Sequence, residues 1–269
     1  MIRGHETPVV KLPWGLRLAV TATESIGSGI ARTGVHELPV TEAVYRLLGP
    51  GDFAVDVGAH VGYFTSLMAF RIGSGGTVLA LEPHPMLVAQ LRENVARWRS
   101  SDRVTVDPRA ASEATGTAHL NVPADFSTNM GTSSLGVESA ESVEVSTVAL
   151  DTLIGGRHVV LFKLDVEHHE IAVLIGMKDA LAAHAIQHIL FEEHRPFPTP
   201  VTELLERSGF TIFGLHERFW GAEPVDPSSE LARSRWDAQT YVATITPDVI
   251  KARLRANGWR CLRPRLGRR

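Results

Sequence analysis

The stretch FAVDVGAHVGYFTS, residues 53–66, constrains what this chain can fold into more than any other. Apolar and small residues run into Asp56, then Gly58 and Gly62 bracket three residues, and an amphipathic segment follows. That order reads as a buried strand, a tight turn and a helix start. In an α/β sheet such a turn lies at the carboxyl end of a strand, where ligands bind.

The pattern then repeats. A helix is expected over 39–48, stopping at GPG, before strand 53–57 and helix 62–72. TVLALE (77–82) is a second strand, and helix 85–99 places Val88, Leu91, Val95 and Trp98 on one face. RVTV (103–106), HVVLFKLDV (158–166) and IQHILFEEH (186–194) are further strands, with helices 170–183 and 199–208 and strands 210–214 and 240–245 completing the series. Two short β-like runs, 8–12 and 16–21, flank PWG as a hairpin, and 116–121 and 141–149 alternate as antiparallel additions. The expected fold is an α/β, Rossmann-like, mostly parallel sheet with helices on both faces, an N-terminal hairpin and an antiparallel insertion. The least regular stretches are 123–136 and 221–236, and the expected divisions are an appendage over 1–36, a catalytic domain over 37–250 and a basic tail over 251–269.

Composition excludes several classes. With 44% hydrophobic and 21% charged residues the chain has ample core, and a net charge of −3 does not suit a general polyanion binder. Between Lys251 and Arg269 there are one Lys, seven Arg and no acid, and residues 257–269 are expected to be mobile and dispensable for ligand binding. The single Cys261 leaves no intramolecular disulfide and no Cys-based zinc cage. MIRGHETPVVKLPWG has no apolar signal-peptide core and no window is long enough to span a membrane, so the expected location is cytoplasmic. No signal for oligomeric state is present.

The ligand follows from the turn. Nicotinamide cofactors use G-x-G-x-x-G, with the pyrophosphate on the helix N-terminus. Here the spacing is G-x-x-x-G, and Asp56 stands two residues before the first glycine. A carboxylate there repels pyrophosphate and suits a ligand with a positive amine and sulfonium, which describes S-adenosylmethionine. Glu82, ending the second strand, is placed to accept both hydroxyls of a ribose. Asp165, Glu192 and His194 also fall at strand ends, and Lys163 and Asp165 share one side of strand 158–166 with Glu167 beyond them. A Lys in an apolar strand requires a partner, and Asp165 is the nearest in sequence.

GDFAVDVGAHVGYFT, VLALEPHP, VALDTL, LFKLDVEHHE and ILFEEH stand in an order and spacing that resemble the FkbM-like methyltransferases, over about residues 37–214. The resemblance implies a class I S-adenosylmethionine-dependent fold and O-methylation of sugars, polyketides or related metabolites. It adds Glu37, an acid before the first helix, to the cofactor set, which becomes Glu37, Asp56, Gly58, Gly62, Tyr63, Glu82, Ala110 and Asp165. It also makes DFSTNMGTSSLG (125–136) similar to a polar substrate segment, so Asn129, Ser133 and Ser134, with Glu192, are candidates to face a hydroxylated acceptor; a plain flexible loop is the other reading. Where the family reads D-V-E-G-x-E, this chain carries His168 and His169.

Transfer of a methyl group to a hydroxyl is helped most by a positioned base, and a neutral His suits that task near neutral pH. His194, His169 and Asp165 are the candidates, with Lys163 and Glu167 beside them. The family tends to place a His two residues after the strand-5 acid, which favours His194. Two alternatives differ in class: a nicotinamide oxidoreductase, disfavoured by the glycine spacing, and a metal-dependent hydrolase using Asp165, Glu167, His168, His169, Glu192 and His194. Adjacent His168 and His169 diverge and make a poor chelate, so no resident metal is expected. DVEHHE replaces the Asn/Asp-Pro-Pro-aromatic motif of base-amine methylation, so no nucleic-acid partner is expected.

Overall fold

The structure, a computed structural model, describes residues 7–135, 142–232 and 238–263. A hairpin of β1 (Val9–Lys11) and β2 (Arg17–Ala19) leads through α1 (Ser25–Thr33) to α2 (Leu38–Leu47). Then follow β3 (Phe53–Val57), α3 (Tyr63–Ile72), β4 (Thr77–Leu81), α4 (Pro85–Ala96) and β5 (Val104–Asp107). The insertion holds β6 (Ala110–Ala111), β7 (Gly116–Asn121), β8 (Ser134–Leu135) and β9 (Ser142–Val148). The chain continues as α5 (Leu150–Ile154), β10 (Val159–Leu164), α6 (Glu170–Ile175), α7 (Lys178–Ala182), β11 (Ile186–Glu193), α8 (Pro200–Arg207), β12 (Thr211–Arg218), β13 (Gly221–Val225), β14 (Gln239–Thr244) and α9 (Pro247–Leu254).

Eight strands form the main sheet in the order β13-β12-β14-β11-β10-β3-β4-β5. From β11 to β5 neighbouring strands are parallel, and β14 runs antiparallel between β11 and β12. Side chains alternate across this sheet with period two. Ala54, Val78, Leu161 and Leu190 pack with α2, α3, α4 and α9, while Val55, Leu79, Phe162 and Ile189 pack with α5–α8. Both faces are therefore apolar and covered, as a parallel sheet requires. The chain runs outward from β3 through β4 to β5, then crosses back to β10 on the other side of β3 and on to β11, so a crevice opens at the carboxyl ends of β3 and β10.

Several expectations change. Helix 85–99 ends at Ala96. Helix 170–183 divides into α6 and α7 around Gly176, where a Cβ would stand 2.0 Å from the Ser112 carbonyl oxygen. α1 was not expected; Glu24 caps it by accepting from the Ile26 and Gly27 backbone N–H groups. The irregular stretch 221–236 contains β13, paired antiparallel with β12, and part of it lies outside the described residues. The N-terminal hairpin sends Leu12, Trp14, Leu18 and Val20 into the same core as α2–α4, and Trp14 Nε1 donates to Ser66 Oγ at 3.1 Å.

The expected mobility of 257–269 fails over 257–263, the part described. Cys261 is fully buried, and the Arg260 and Cys261 backbone N–H groups donate to Glu42 on α2 at 3.0 and 2.8 Å. Arg46, paired with the same Glu42, donates to the Gly258 carbonyl at 2.6 Å. A buried Glu–Arg pair must satisfy its remaining hydrogen-bonding capacity, and the C-terminal segment supplies the partners. Residues 264–269 lie outside the described residues.

Candidate active site

A cavity of about 330 Å³ occupies the crevice at the carboxyl ends of β3, β4, β10 and β11. Gly58 forms part of its floor, at φ +79, and a Cβ there would stand 1.8 Å from the Asp165 carbonyl oxygen. The bare backbone lets the β3 turn approach the end of β10 and also leaves the floor open.

Glu82, immediately after β4, faces the cavity and is almost fully buried. Its two carboxylate oxygens accept from the backbone N–H groups of His60 and His84, each at 2.9 Å. Burial outweighs those two donors and pushes its pKa up to about 7. The Glu82–His84 turn is also where the insertion is anchored, through His84 stacked on Phe126 with ring centroids 4.2 Å apart. Phe126 and Met130 sink into the core and carry Asn129 and Ser133 over the cavity, and Ser133 Oγ is buried with no hydrogen-bond partner among the described residues. The Ser25 N–H donates to the Thr128 carbonyl at 3.0 Å, so α1 and the insertion close the roof together, with Ser25 and Ile26 lining it.

Opposite Glu82 stand Asp165, Glu167, His169, Glu192 and His194. Lys163 Nζ donates to Asp165 Oδ2 at 2.7 Å and lies 4.7 Å from the centre of the Phe64 ring. Burial alone would lower the lysine pKa, but the charges of Asp165, Asp56, Glu37 and Glu192 raise it well above its ordinary value. His169 Nε2 sits 3.0 Å from Ser112 Oγ, and burial lowers its pKa, so the ring is neutral near pH 7. His194 Nε2 lies 3.6 Å from Glu167 Oε2, and its ring tilts against that of His168 at 4.5 Å. The poor chelate expected of His168 and His169 is irrelevant to this arrangement: His168 faces His194, while His169 faces Ser112.

Eleven expected residues line this one cavity: Glu37, Gly58, Glu82, Ala110, Asn129, Ser133, Asp165, Glu167, His169, Glu192 and His194. Five do not, and each has a physical reason. Asp56 points to the α3 side of β3, fully buried, where its Oδ2 accepts from Thr65 Oγ1 at 2.5 Å; burial raises its pKa despite Lys163 and Thr65. Gly62 starts α3 at φ +95, and a Cβ would meet Leu91 at 2.6 Å and the Trp98 ring at 3.3 Å, so it serves helix packing. Tyr63 lies behind the wall, where its hydroxyl accepts from the His36 N–H at 3.0 Å and meets Thr41 Oγ1 at 3.2 Å. Lys163 is screened from the cavity behind Asp165. Ser134 is buried in β8 and also does not line the cavity.

Sequence reasoning missed His36 and His60. His36 Nε2 pairs with Glu37 Oε1 at 2.7 Å. Burial opposes both charges, but the mutual hydrogen bond and attraction prevail, raising the His36 pKa and lowering that of Glu37. The pKa of His60, inside the opening motif at φ +51, is pushed down to about 4 by burial, and its Nε2 is buried with no hydrogen-bond partner among the described residues. A histidine between two turn glycines was the available signal.

Residues 56–212 match the family described as Methyltransferase FkbM domain. The chain is 31% identical to the 31-O-demethyl-FK506 methyltransferase FkbM of Streptomyces tacrolimicus, covering 61% of this chain and 75% of that protein. It is 29% identical to the hexuronic acid methyltransferase AglP of Haloferax volcanii, covering 65% of this chain and 71% of that protein. Among solved structures, the FkbM methyltransferase of Methylobacillus flagellatus KT aligns at 17% identity with a TM-score of 0.48, over 81% of this chain and 60% of that one.

Proposed function

The chain belongs to the FkbM methyltransferase family, and we propose that it transfers a methyl group from S-adenosylmethionine to a hydroxyl of a small, hydroxylated metabolite. The observation that carries this reading is the convergence of Glu82, Asp165, Glu192 and His194 on one cavity at the sheet's switch point.

The residues fit the cofactor. Glu82 has both oxygens fixed by backbone donors and retains lone pairs for the ribose hydroxyls. Glu37 and Asp165 supply negative charge for the ammonium group, Gly58 leaves room beside it, and His60 Nε2 and Ser133 Oγ are buried polar atoms with no hydrogen-bond partner among the described residues. Bound there, S-adenosylmethionine supplies an electrophilic methyl group on a positive sulfur. Asp56 acts at one remove, through Lys163 and Thr65.

The acceptor enters at the mouth, between Asn129 and Ser133 on the insertion and Glu192 and His194 on β11 and its end. His194 activates the hydroxyl, and Glu167, 3.6 Å from it, orients the ring. His169, held by Ser112, bounds the acceptor pocket. The two relatives are named for 31-O-demethyl-FK506 and for a hexuronic acid, and both names are consistent with an oxygen-bearing acceptor. The nicotinamide and hydrolase alternatives have no support from the family.

Thermal-shift measurement tests the cofactor: S-adenosylmethionine and S-adenosylhomocysteine should raise the melting temperature, and NAD should not. A response to NAD alone ends the reading. Mass spectrometry of products from an acceptor panel then identifies the methylated class.

A further inference from the structure

We propose that Glu167, His168 and His194 form a divalent transition-metal site at the mouth of the cavity. This rests on the methyltransferase reading only for its use, and not for the site itself. One ligand atom from each of the three side chains lies within 4.8 Å of the other two. Two imidazoles and one carboxylate favour Zn²⁺, Mn²⁺, Co²⁺ or Ni²⁺ over Mg²⁺ or Ca²⁺, which prefer all-oxygen ligands. Three protein donors leave coordination positions open.

The local structure brings these groups together from two strand ends. Glu167 and His168 both adopt left-handed backbone, φ +47 and φ +70, conformations that favour glycine. The resulting turn carries His168 onto the His194 ring, and the His168 N–H is held by Glu170 Oε1 at 3.2 Å. Bonds of about 2.0–2.2 Å to a common ion need donors somewhat closer than they stand here. The His168 and His194 rings are exposed, so each has room to turn about its side-chain bonds toward a common ion. Asp165 and Glu192, lining the same cavity, add negative charge that attracts a cation.

The position gives the site a use. Glu167 and His194 line the cavity, so an ion they hold faces the acceptor at its point of entry. There the ion, and not the ring that ligates it, polarises the acceptor hydroxyl and makes it a better nucleophile, so that His194 activates the hydroxyl as a ligand of the ion. An acceptor with two neighbouring oxygens, as in a sugar diol or a hydroxy acid, would occupy the open positions as a chelate.

The test is Co²⁺ titration of the intact chain without S-adenosylmethionine, read by visible absorption and by equilibrium dialysis. One Co²⁺ per chain is expected, with His168→Ala and Glu167→Gln each weakening it at least tenfold. His119→Ala, at an exposed histidine on β7 that is not among the residues lining the cavity, should leave it unchanged. Melting curves and S-adenosylmethionine affinity are measured on each variant, and both should survive His168→Ala. Uptake that is unaltered in His168→Ala, or no uptake by a chain that binds S-adenosylmethionine, overturns the metal site. Co²⁺ uptake with no S-adenosylmethionine binding overturns the methyltransferase reading and leaves the metal site standing.

Discussion

Lys163 Nζ stands 2.7 Å from Asp165 Oδ2, and in the parallel pairing of β10 with β3 the same lysine lies level with Asp56. One buried ammonium therefore balances a carboxylate that faces the cavity and another that never reaches it. Lys163→Met keeps the volume and removes the charge. It should destabilise the chain by ~3–5 kcal/mol, because Asp56 is then a buried acid without a cation. Denaturant unfolding measures this, and a loss below ~1 kcal/mol would show that the pair is incidental.

Glu82 should give cofactor binding and folding opposite pH dependences. Its native pKa, about 7, is raised from an ordinary 4.5. Its contribution to stability is therefore full below about 4.5 and is lost as pH rises through about 7. On the proposed role of Glu82 at the ribose, cofactor binding uses the ionised form and should weaken as pH falls below about 7. Calorimetric titration with S-adenosylmethionine from acid to mildly alkaline pH tests this, with Glu82→Gln losing the pH dependence and ~1.5–3 kcal/mol of affinity. The same affinity in Glu82→Gln would remove the residue from the ribose site.

The C-terminal segment should prove structural. Truncation after residue 256 removes the two backbone donors to Glu42, the Gly258 carbonyl that Arg46 holds, and the buried Cys261. A buried pair stripped of hydrogen bonds, together with lost apolar packing, should cost ~3 kcal/mol or more. Urea unfolding of the truncated chain decides it; native-like stability would show that α2 does not depend on this segment.

His194 and His169 should separate rate from selectivity. His194→Ala should lower turnover by ~10²–10⁴ with S-adenosylmethionine affinity nearly unchanged. His169→Ala loses the Ser112 contact at the pocket wall and should alter acceptor preference more than rate. Steady-state kinetics on two acceptors of different size distinguish them. Near-normal turnover of His194→Ala would move the activating role to Asp165.

The sequence by itself determined what depends on neighbours along the chain. The 53–66 stretch announced β3, its glycine turn and α3, because alternating burial and left-handed turns are local properties. Glu82 at a strand end and the Lys163–Asp165 pair two residues apart on one strand were legible for the same reason. α1 was hidden by its composition, SIGSGIART, whose glycines and serines obscure helical periodicity; Gly27 is needed because a Cβ would meet the Thr21 carbonyl at 2.3 Å.

Tertiary structure decided which side of a wall each residue faces and which distant residues meet. Asp56 and Tyr63 belong to the motif that names the fold, yet they support the cavity from behind, because the twist of β3 and the packing of α3 set their direction. His168 faces His194, and Glu42 caps a segment more than two hundred residues away, only because parallel strands and docked helices bring those points together. Local sequence encodes conformation through torsional preference and the period of burial. A contact between distant residues is chosen by the whole sheet order, and no stretch of chain carries that order alone.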